Sequence, residues 1–162
     1  MIKIVDKIIG DISNIASYNK RNENPKLHYI DLLFSTIPEN IEIIGIADCS
    51  LYYQIDDKIQ YKKEYLIPKK IIEAPAGCAA DEFILAYAMM KEAFIISNDR
   101  FRQYEDVSED WLRRVQIKFM IIEKQLIFQH PIEYYLAMAL KSDEDAITTK
   151  QSTAKTIKME GY

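Results

Sequence analysis

Short, continuously apolar runs alternate with segments of helical periodicity, and this alternation restricts the fold more than any other feature. The predicted strands are residues 7–10, 41–47, 69–73 and 93–97. The predicted helices between them are residues 27–37, 49–66 and 79–91. Strands that are apolar at nearly every position are typical of parallel sheets covered on both faces. The sequence therefore predicts an α/β domain built from βαβ units.

The chain after the fourth predicted strand changes character. A short helix is expected after Ser108, and two β-like runs, 117–122 and 126–129, flank Glu123-Lys124-Gln125. This spacing predicts a C-terminal β-hairpin. Residues 141–162 are rich in Thr, Lys and Ser, which favours a polar, flexible tail. We therefore expect one domain over residues 1–140, followed by this tail.

Composition excludes several classes of protein. A chain of 162 residues, 49% hydrophobic and 28% charged, is long and apolar enough to bury one core. Two Cys and two His at scattered positions form neither a disulfide framework nor a recognisable zinc site. There is no long apolar run and no signal-peptide pattern, so we expect a cytoplasmic protein without a membrane span.

An aspartate comes at or after three of the predicted strands, and a fourth begins a predicted helix. Asp11 follows the first strand, Asp48 the second and Asp99 the fourth, while Asp81 lies near the start of the helix 79–91. The carboxyl ends of parallel strands meet at one edge of a sheet, where ligands bind. The four carboxylates are therefore expected to lie close together.

Such a cluster favours a hard divalent cation. Neighbouring carboxylates repel one another, and Mg²⁺ or Mn²⁺ prefers oxygen ligands of this kind. Each aspartate also has a purely structural alternative. Asp11 and Asn14 could form a turn, Asp48 and Asp81 could cap helices, and Asn98-Asp99 is a common turn dipeptide.

Three sequence blocks, at residues 10–16, 80–85 and 95–102, point to a known family. Together they resemble the PIN-like NYN ribonuclease domains, and most of all the Regnase-type endoribonuclease domain found beside CCCH zinc fingers. Residues 10–16 (GDISNIA) resemble the family's D-G-S-N-V-A motif. Residues 80–85 (ADEFIL) are similar to D-D-R-F-I-V, and residues 95–102 (IISNDRFR) to V-V-S-N-D-x-Y-R. Asp110-Trp111-Leu112-Arg113-Arg114 and the hairpin region 119–131 resemble later parts of the domain. The resemblance covers about residues 7–131.

The resemblance implies a three-layer α/β/α PIN-like (Rossmann-like) fold and Mg²⁺- or Mn²⁺-dependent endonucleolytic cleavage of single-stranded RNA. By position, the implied catalytic and metal-binding carboxylates are Asp11, Asp81 and Asp99. Supporting roles are expected for Asn14, Asp48, Glu82 and Asn98. The expected contacts to RNA are Arg100, Arg102, Lys20, Arg21 and Lys26.

The chain departs from the family pattern in three ways. Ile12 stands where the family has Gly, and Ala80 replaces one member of an acidic pair, leaving Asp81 with Glu82 as a displaced partner. No CCCH finger is present, so RNA selectivity would come from the domain, its tail or a partner. A compact nuclease of this kind fits a toxin restrained by an antitoxin, an RNA-processing factor or a defence nuclease, and self-association stays open.

Two other functions are compatible with these residues. A PIN-like module with a weakened site would bind RNA or protein without cutting it. A receiver-like or phosphatase-like protein would also gather Asp residues around Mg²⁺. The formal net charge of −4 argues against binding phosphates. Residues 1–140 without the four aspartates are charge-neutral, however, so we expect nucleic-acid binding to depend on metal.

Overall fold

The computed structural model describes residues 8–19 and 23–138. The strands in chain order are β1 (Ile8–Asp11), β2 (Ile44–Ala47), β3 (Ile71–Glu73), β4 (Phe94–Ile96), β5 (Gln116–Ile117), β6 (Phe119–Ile122) and β7 (Gln125–Phe128). The helices are α1 (Ile12–Ala16), α2 (Leu27–Thr36), α3 (Leu51–Gln54), α4 (Lys58–Tyr61), α5 (Ala80–Lys91) and α6 (Glu109–Val115), with a π-helical turn at Lys62–Leu66. Residues 132–138 are also helical.

Five strands form a parallel sheet in the order β3-β2-β1-β4-β5. The predicted α/β fold with a parallel sheet is therefore confirmed. The strand order reverses beside β1, because β2 and β4 pair with its two sides. The carboxyl ends of β1 and β4 consequently flank the point where ligands bind in open sheets of this kind.

Helices cover both faces of the sheet, and the alternation of side chains along β1 shows how. Ile9 is fully buried in a core that includes Ile84 and Ala88 of α5. Gly10 points to the opposite face, where Leu33 of α2 lies 3.2 Å from the position that a Cβ would occupy. Successive residues of a strand face opposite ways, so β1 is buried by α5 on one side and by α2 on the other.

The hairpin is present, but its first strand begins later than predicted. The run 117–122 is divided at Lys118: Gln116–Ile117 joins the parallel sheet beside β4, and Phe119–Ile122 pairs antiparallel with Gln125–Phe128. The Asn98 side chain holds the backbone of Phe119 in two hydrogen bonds, which anchors the chain where it leaves the sheet. A continuous apolar pattern conceals this division.

The predicted helix 49–66 is also wrong as a single element. The chain breaks at Ile55, whose backbone is extended, and the break separates α3 from α4. Asp56 is freed to accept a hydrogen bond at 2.9 Å from the backbone N–H of Leu27, the first residue of α2. Asp57 then caps α4 by accepting from the N–H of Gln60. Asp56 thus stabilises the start of α2, and Asp57 stabilises the start of α4.

Two compact units are distinguished along the chain, Met1–Gln129 and His130–Tyr162. The predicted tail, 141–162, lies outside the described residues, so the division at residue 140 stays a prediction. Within the described part of the chain, no helix has the length and apolar character needed to cross a membrane.

Candidate active site

Asp11 is a buried carboxylate at the carboxyl end of β1, only 2% exposed. Its Oδ1 accepts a hydrogen bond from the backbone N–H of Asn14 at 3.4 Å and so caps α1. Its Oδ2 accepts from the Ser97 hydroxyl at 2.7 Å. Bonds on both oxygens fix the carboxyl plane, and Asp11 therefore has a single defined orientation at the reversal point of the sheet.

Asp99 lies in the loop that follows β4, and side chains of this loop hold its conformation. The Ser97 hydroxyl accepts from the Asp99 N–H at 3.1 Å, and Asp99 Oδ1 accepts from the N–H of Phe101 at 2.8 Å. Phe101 has a φ of 48° although it is not a glycine, and it is buried in the core. Such backbone strain persists only when the surroundings fix the conformation. The core packing of Phe101 therefore helps to hold Asp99.

Asn14 and Asn98 connect this loop to α1 and to the hairpin. The Asn14 side chain accepts from the backbone N–H of Asn98 at 2.9 Å. The Asn98 side chain donates to the Phe119 carbonyl at 2.8 Å and accepts from the Phe119 N–H at 3.0 Å. The two amides thus act on the backbone around Asp99, which is a structural role that holds the loop in register.

Asp81 and Asp48 come from α5 and the end of β2. Asp81 lies in the first turn of α5, and its Oδ2 accepts from the Gln103 amide at 3.2 Å. Asp48 Oδ1 accepts from the N–H of Ala80 at 2.9 Å, so Asp48 stabilises the start of α5 from a distant segment. The Ser13 hydroxyl in turn accepts from the Asp48 N–H at 2.9 Å. We call the group Asp11, Asp48, Asp81 and Asp99 the acidic edge.

The charges of the acidic edge act on one another. Burial, with added repulsion from Asp81 and Asp99, raises the pKa of Asp11 to about 7 despite the hydrogen bonds from Ser97 and Asn14. Partial burial, followed by the charges of Asp99 and Asp48, raises the pKa of Asp81 to about 6. At neutral pH and without a neighbouring cation, Asp11 is therefore about half protonated, and its ionised form is disfavoured by burial and by the charges of Asp81 and Asp99.

The donor set suits a hard cation in chemistry, although its geometry is open. Among the described residues, no three Asp, Glu, His or Cys side chains stand close enough together to enclose a metal ion. Within the same residues, Oδ1 of Asp81 and Oδ2 of Asp99 accept no hydrogen bond. Mg²⁺ and Mn²⁺ bind carboxylate oxygens of this kind, which accept no hydrogen bond and repel one another, and waters often complete the coordination shell.

The other predicted residues lie in different parts of the chain. Glu82 is exposed on α5 and lines a separate cleft together with Tyr104. The pKa of Tyr104 is raised by burial and by the charges of Asp81 and Glu82. Lys26 pairs with Glu23 at 2.7 Å on the α2 side of the molecule. Arg100 and Arg102 line a cleft beside α6. Lys20 and Arg21 lie outside the described residues.

Three residues that support the site were not predicted. Ser97 bridges Asp11 and Asp99, Gln103 donates to Asp81, and Gln116 on β5 donates to the carbonyls of both Ser97 and Asp99 at 2.7 Å. Gln116 is only 8% exposed. The signal for Gln116 in the sequence was a polar residue directly before an apolar run, and this alone does not indicate its hydrogen-bond partners.

The sequence profile of the Zc3h12a-like Ribonuclease NYN domain family matches residues 51–132, half of the chain. The chain belongs to this family. The match includes α5, the loop after β4 and the hairpin, and the predicted resemblance is thereby confirmed. No curated protein sequence matches the chain significantly.

Solved structures support the NYN-type fold. Nuclear proteinaceous RNase P 2 (PRORP2) from A. thaliana superposes with a TM-score of 0.67 at 16% identity, over 77% of this chain and 30% of that one. A second structure of the Arabidopsis thaliana nuclear protein-only RNase P 2 gives a TM-score of 0.63 at 13% identity, over 78% of this chain and 30% of that one. The NYN domain described here thus spans less than a third of the length of these neighbours, and at this identity they show the fold alone.

Proposed function

We propose that the NYN domain is a metal-dependent endoribonuclease that hydrolyses phosphodiester bonds of single-stranded RNA. The observation that carries this proposal is geometric: at the reversal point of the sheet the Ser97 hydroxyl bonds both the buried Asp11 carboxylate and the N–H of Asp99, and Asp81 lies near enough for its charge to act on Asp11. Membership of a ribonuclease family supports RNA as the substrate.

The carboxylates of Asp11, Asp81 and Asp99 would hold one or two Mg²⁺ or Mn²⁺ ions. The ion, when bound, would make a water nucleophilic and neutralise charge on the scissile phosphate. Ser97 and Asn14 keep Asp11 oriented, and the Asx turn at Asp99 leaves its Oδ2 directed away from its own backbone partner. Asp48 acts by fixing the start of α5 and hence Asp81.

Arg100 and Arg102 follow Asp99 in the same loop and would hold the RNA backbone. Both are exposed, and a guanidinium group binds phosphate oxygens in a fixed fork. Asn98 keeps its supporting role through the hairpin backbone. Glu82 is the weakest member of the proposed set, because it lines a different cleft from these arginines.

The deciding experiment compares the wild type with Asp99→Asn on a labelled single-stranded RNA in Mn²⁺ and in EDTA. We expect cleavage by the wild type only with metal, and a loss of more than about 100-fold in Asp99→Asn, beyond the loss of about 10- to 100-fold typical of outer-shell partners. Asp110→Asn, which changes an exposed carboxylate in the first turn of α6, is the matched control and should cut normally.

Direct Mn²⁺ binding, measured by titration, separates the main alternative. Ala80 in place of an acidic residue and the open geometry of the edge favour a module that binds RNA without cutting it. In that case the wild type would bind RNA but neither cut it nor bind Mn²⁺ through Asp99. Labelling by acetyl phosphate without RNA cleavage would instead indicate a receiver-like or phosphatase-like protein.

A further inference from the structure

A cleft of about 630 Å³ lies beside the acidic edge, between α6, the loop after β4 and the segment after β5. Four exposed cations line it: Arg100, Arg102, Arg113 and Lys118. We call these four residues and the space between them the cationic cleft. One carboxylate, Glu109, also lines it. Positive charge is thus concentrated at one place in a chain whose formal net charge is −4.

The positive charges of the cationic cleft are largely available to a ligand. Among the described residues, the one ion pair that involves them joins Arg113 to Glu109 at 4.0 Å, with side chains 77% and 91% exposed. A pair this long and this exposed contributes little free energy. A polyanion would therefore displace Glu109 at small cost.

The cationic cleft continues directly from the acidic edge. Arg100 is the residue after Asp99, and Gln116, which also lines the cleft, donates to the Asp99 carbonyl at 2.7 Å. A polymer with one phosphate at the acidic edge would place neighbouring phosphates toward these cations. An acidic protein segment has no such reason to extend across the edge, where carboxylates would repel it.

The lining also indicates which part of a nucleic acid would be bound. Among the described residues that line the cleft, none is aromatic, so it offers no platform on which a base could stack. Arginine and lysine side chains bind phosphate oxygens regardless of sequence. The cleft therefore suits the sugar-phosphate backbone.

We propose that the cationic cleft binds the phosphate backbone of an RNA strand beside the bond to be cut, with Arg113 and Lys118 each neutralising one phosphate. The choice of RNA rests on the proposed function. The assignment of Arg113 and Lys118 rests on the cleft itself.

The test measures equilibrium binding of a fluorescent, unstructured RNA by anisotropy in EDTA at several KCl concentrations. In EDTA no metal-dependent cleavage occurs, and the weaker binding that remains without metal at the acidic edge depends on the cationic cleft. The double variant Arg113→Ala/Lys118→Ala should bind several-fold more weakly. Its plot of log K against log[salt] should be shallower by about 1.4, since each lost contact to a single strand removes about 0.7. Glu109→Gln should bind more tightly than the wild type.

Arg114→Ala is the matched control, because Arg114 is the next residue of α6, is also exposed, and does not line the cleft. An equal loss in Arg114→Ala would show a general charge effect and overturn the proposal, as would an unchanged slope in the double variant. Binding of poly-glutamate, but not of RNA, that depends on Arg113 would mark a protein-docking site and would also overturn it.

Cleavage assays in Mn²⁺ separate this inference from the proposed nuclease activity. If both hold, the double variant raises KM for RNA while Arg114→Ala does not. If the wild type binds RNA through the cleft but never cuts it, the cleft assignment stands and the nuclease proposal fails. If the wild type cuts RNA but the double variant has unaltered KM and salt slope, the nuclease proposal stands and the cleft assignment fails.

Discussion

The acidic edge and the cationic cleft are neighbours, yet the chain builds them in opposite ways. Asp11 is 2% exposed and both of its oxygens are hydrogen-bonded, whereas the Arg113 side chain is 77% exposed with one long ion pair. The acidic edge is fixed by buried contacts between distant segments, whereas the cleft is lined by solvent-exposed charges. Fixed orientation suits chemistry at one phosphate, and solvated charge suits the binding of any phosphate.

The contrast predicts that only the acidic edge destabilises the fold. The pKa of Asp11 is raised from 3.8 to about 7, so between these values the folded chain binds a proton that the unfolded chain has released. Without metal, stability should fall as pH rises from about 4 to about 7. The penalty is absent below this range and reaches at most about 4 kcal/mol above it. Asp81, with its pKa raised to about 6, acts in the same direction.

Urea unfolding of wild type and Asp11→Asn in EDTA, from pH 4 to pH 8.5, measures this penalty. Asp11→Asn should be the more stable protein at pH 8, and the difference should shrink toward pH 4. Added Mn²⁺ should stabilise the wild type and not the variant. Parallel pH profiles for the two proteins would show that ionisation of Asp11 does not destabilise the folded chain, and would contradict this prediction.

A second prediction concerns Gln116, which connects the two regions. Gln116→Leu leaves the buried carbonyl of Ser97 and the half-buried carbonyl of Asp99 without the Gln116 donor, at a cost of about 2 kcal/mol. Because Ser97 also bonds Asp11, we expect weaker Mn²⁺ binding and a lower rate at saturating RNA, by about 10-fold or more. Gln125→Leu, at an exposed position of the hairpin, is the control.

The decisive readout for Gln116 is activity well below the melting temperature, where both variants are fully folded. A variant that is less stable but has wild-type Mn²⁺ affinity and rate would reduce Gln116 to a structural residue of β5. Loss of both would identify it as a positioning residue for the acidic edge.

The two regions also differ in how far the sequence predicts them. Asp11, Asp48 and Asp99 were predicted because a parallel sheet brings the ends of its strands to one edge, whatever the side-chain details. Ser97, Gln103 and Gln116 were missed because their partners are 17 to 86 residues away along the chain. A local pattern carries no information about such pairs.

The same reasoning explains the errors in the elements. The run at 117–122 was predicted as one strand because apolar periodicity cannot show a change of sheet at Lys118. The helix 49–66 was predicted unbroken because the use of Asp56 as a cap for α2 is visible only in three dimensions. Of the cations that line the cationic cleft, the sequence motif predicts Arg100 and Arg102 as RNA contacts, and only the fold shows that Lys118 lies beside them.

The smallest expected effect tests the packing beneath the acidic edge. Ile12, which replaces the family's glycine, begins α1 and is fully buried. A Cβ at Gly45 would stand 2.9 Å from Ile12 Cγ1 and 2.8 Å from Ile71 Cγ1. The absence of a side chain at Gly45 thus leaves the room that Ile12 occupies.

Gly45→Ala should therefore destabilise the fold by about 1 to 3 kcal/mol, as overpacked cores do. Gly10→Ala is a matched control, because Gly10 pairs with Gly45 in the sheet and its Cβ would meet nothing nearer than 3.2 Å. Urea unfolding at pH 7 compares the two, and equal costs would contradict the packing argument. Because Ile12 follows Asp11, strain at Gly45 should also lower Mn²⁺ affinity slightly, while RNA binding by the cationic cleft in EDTA should not change.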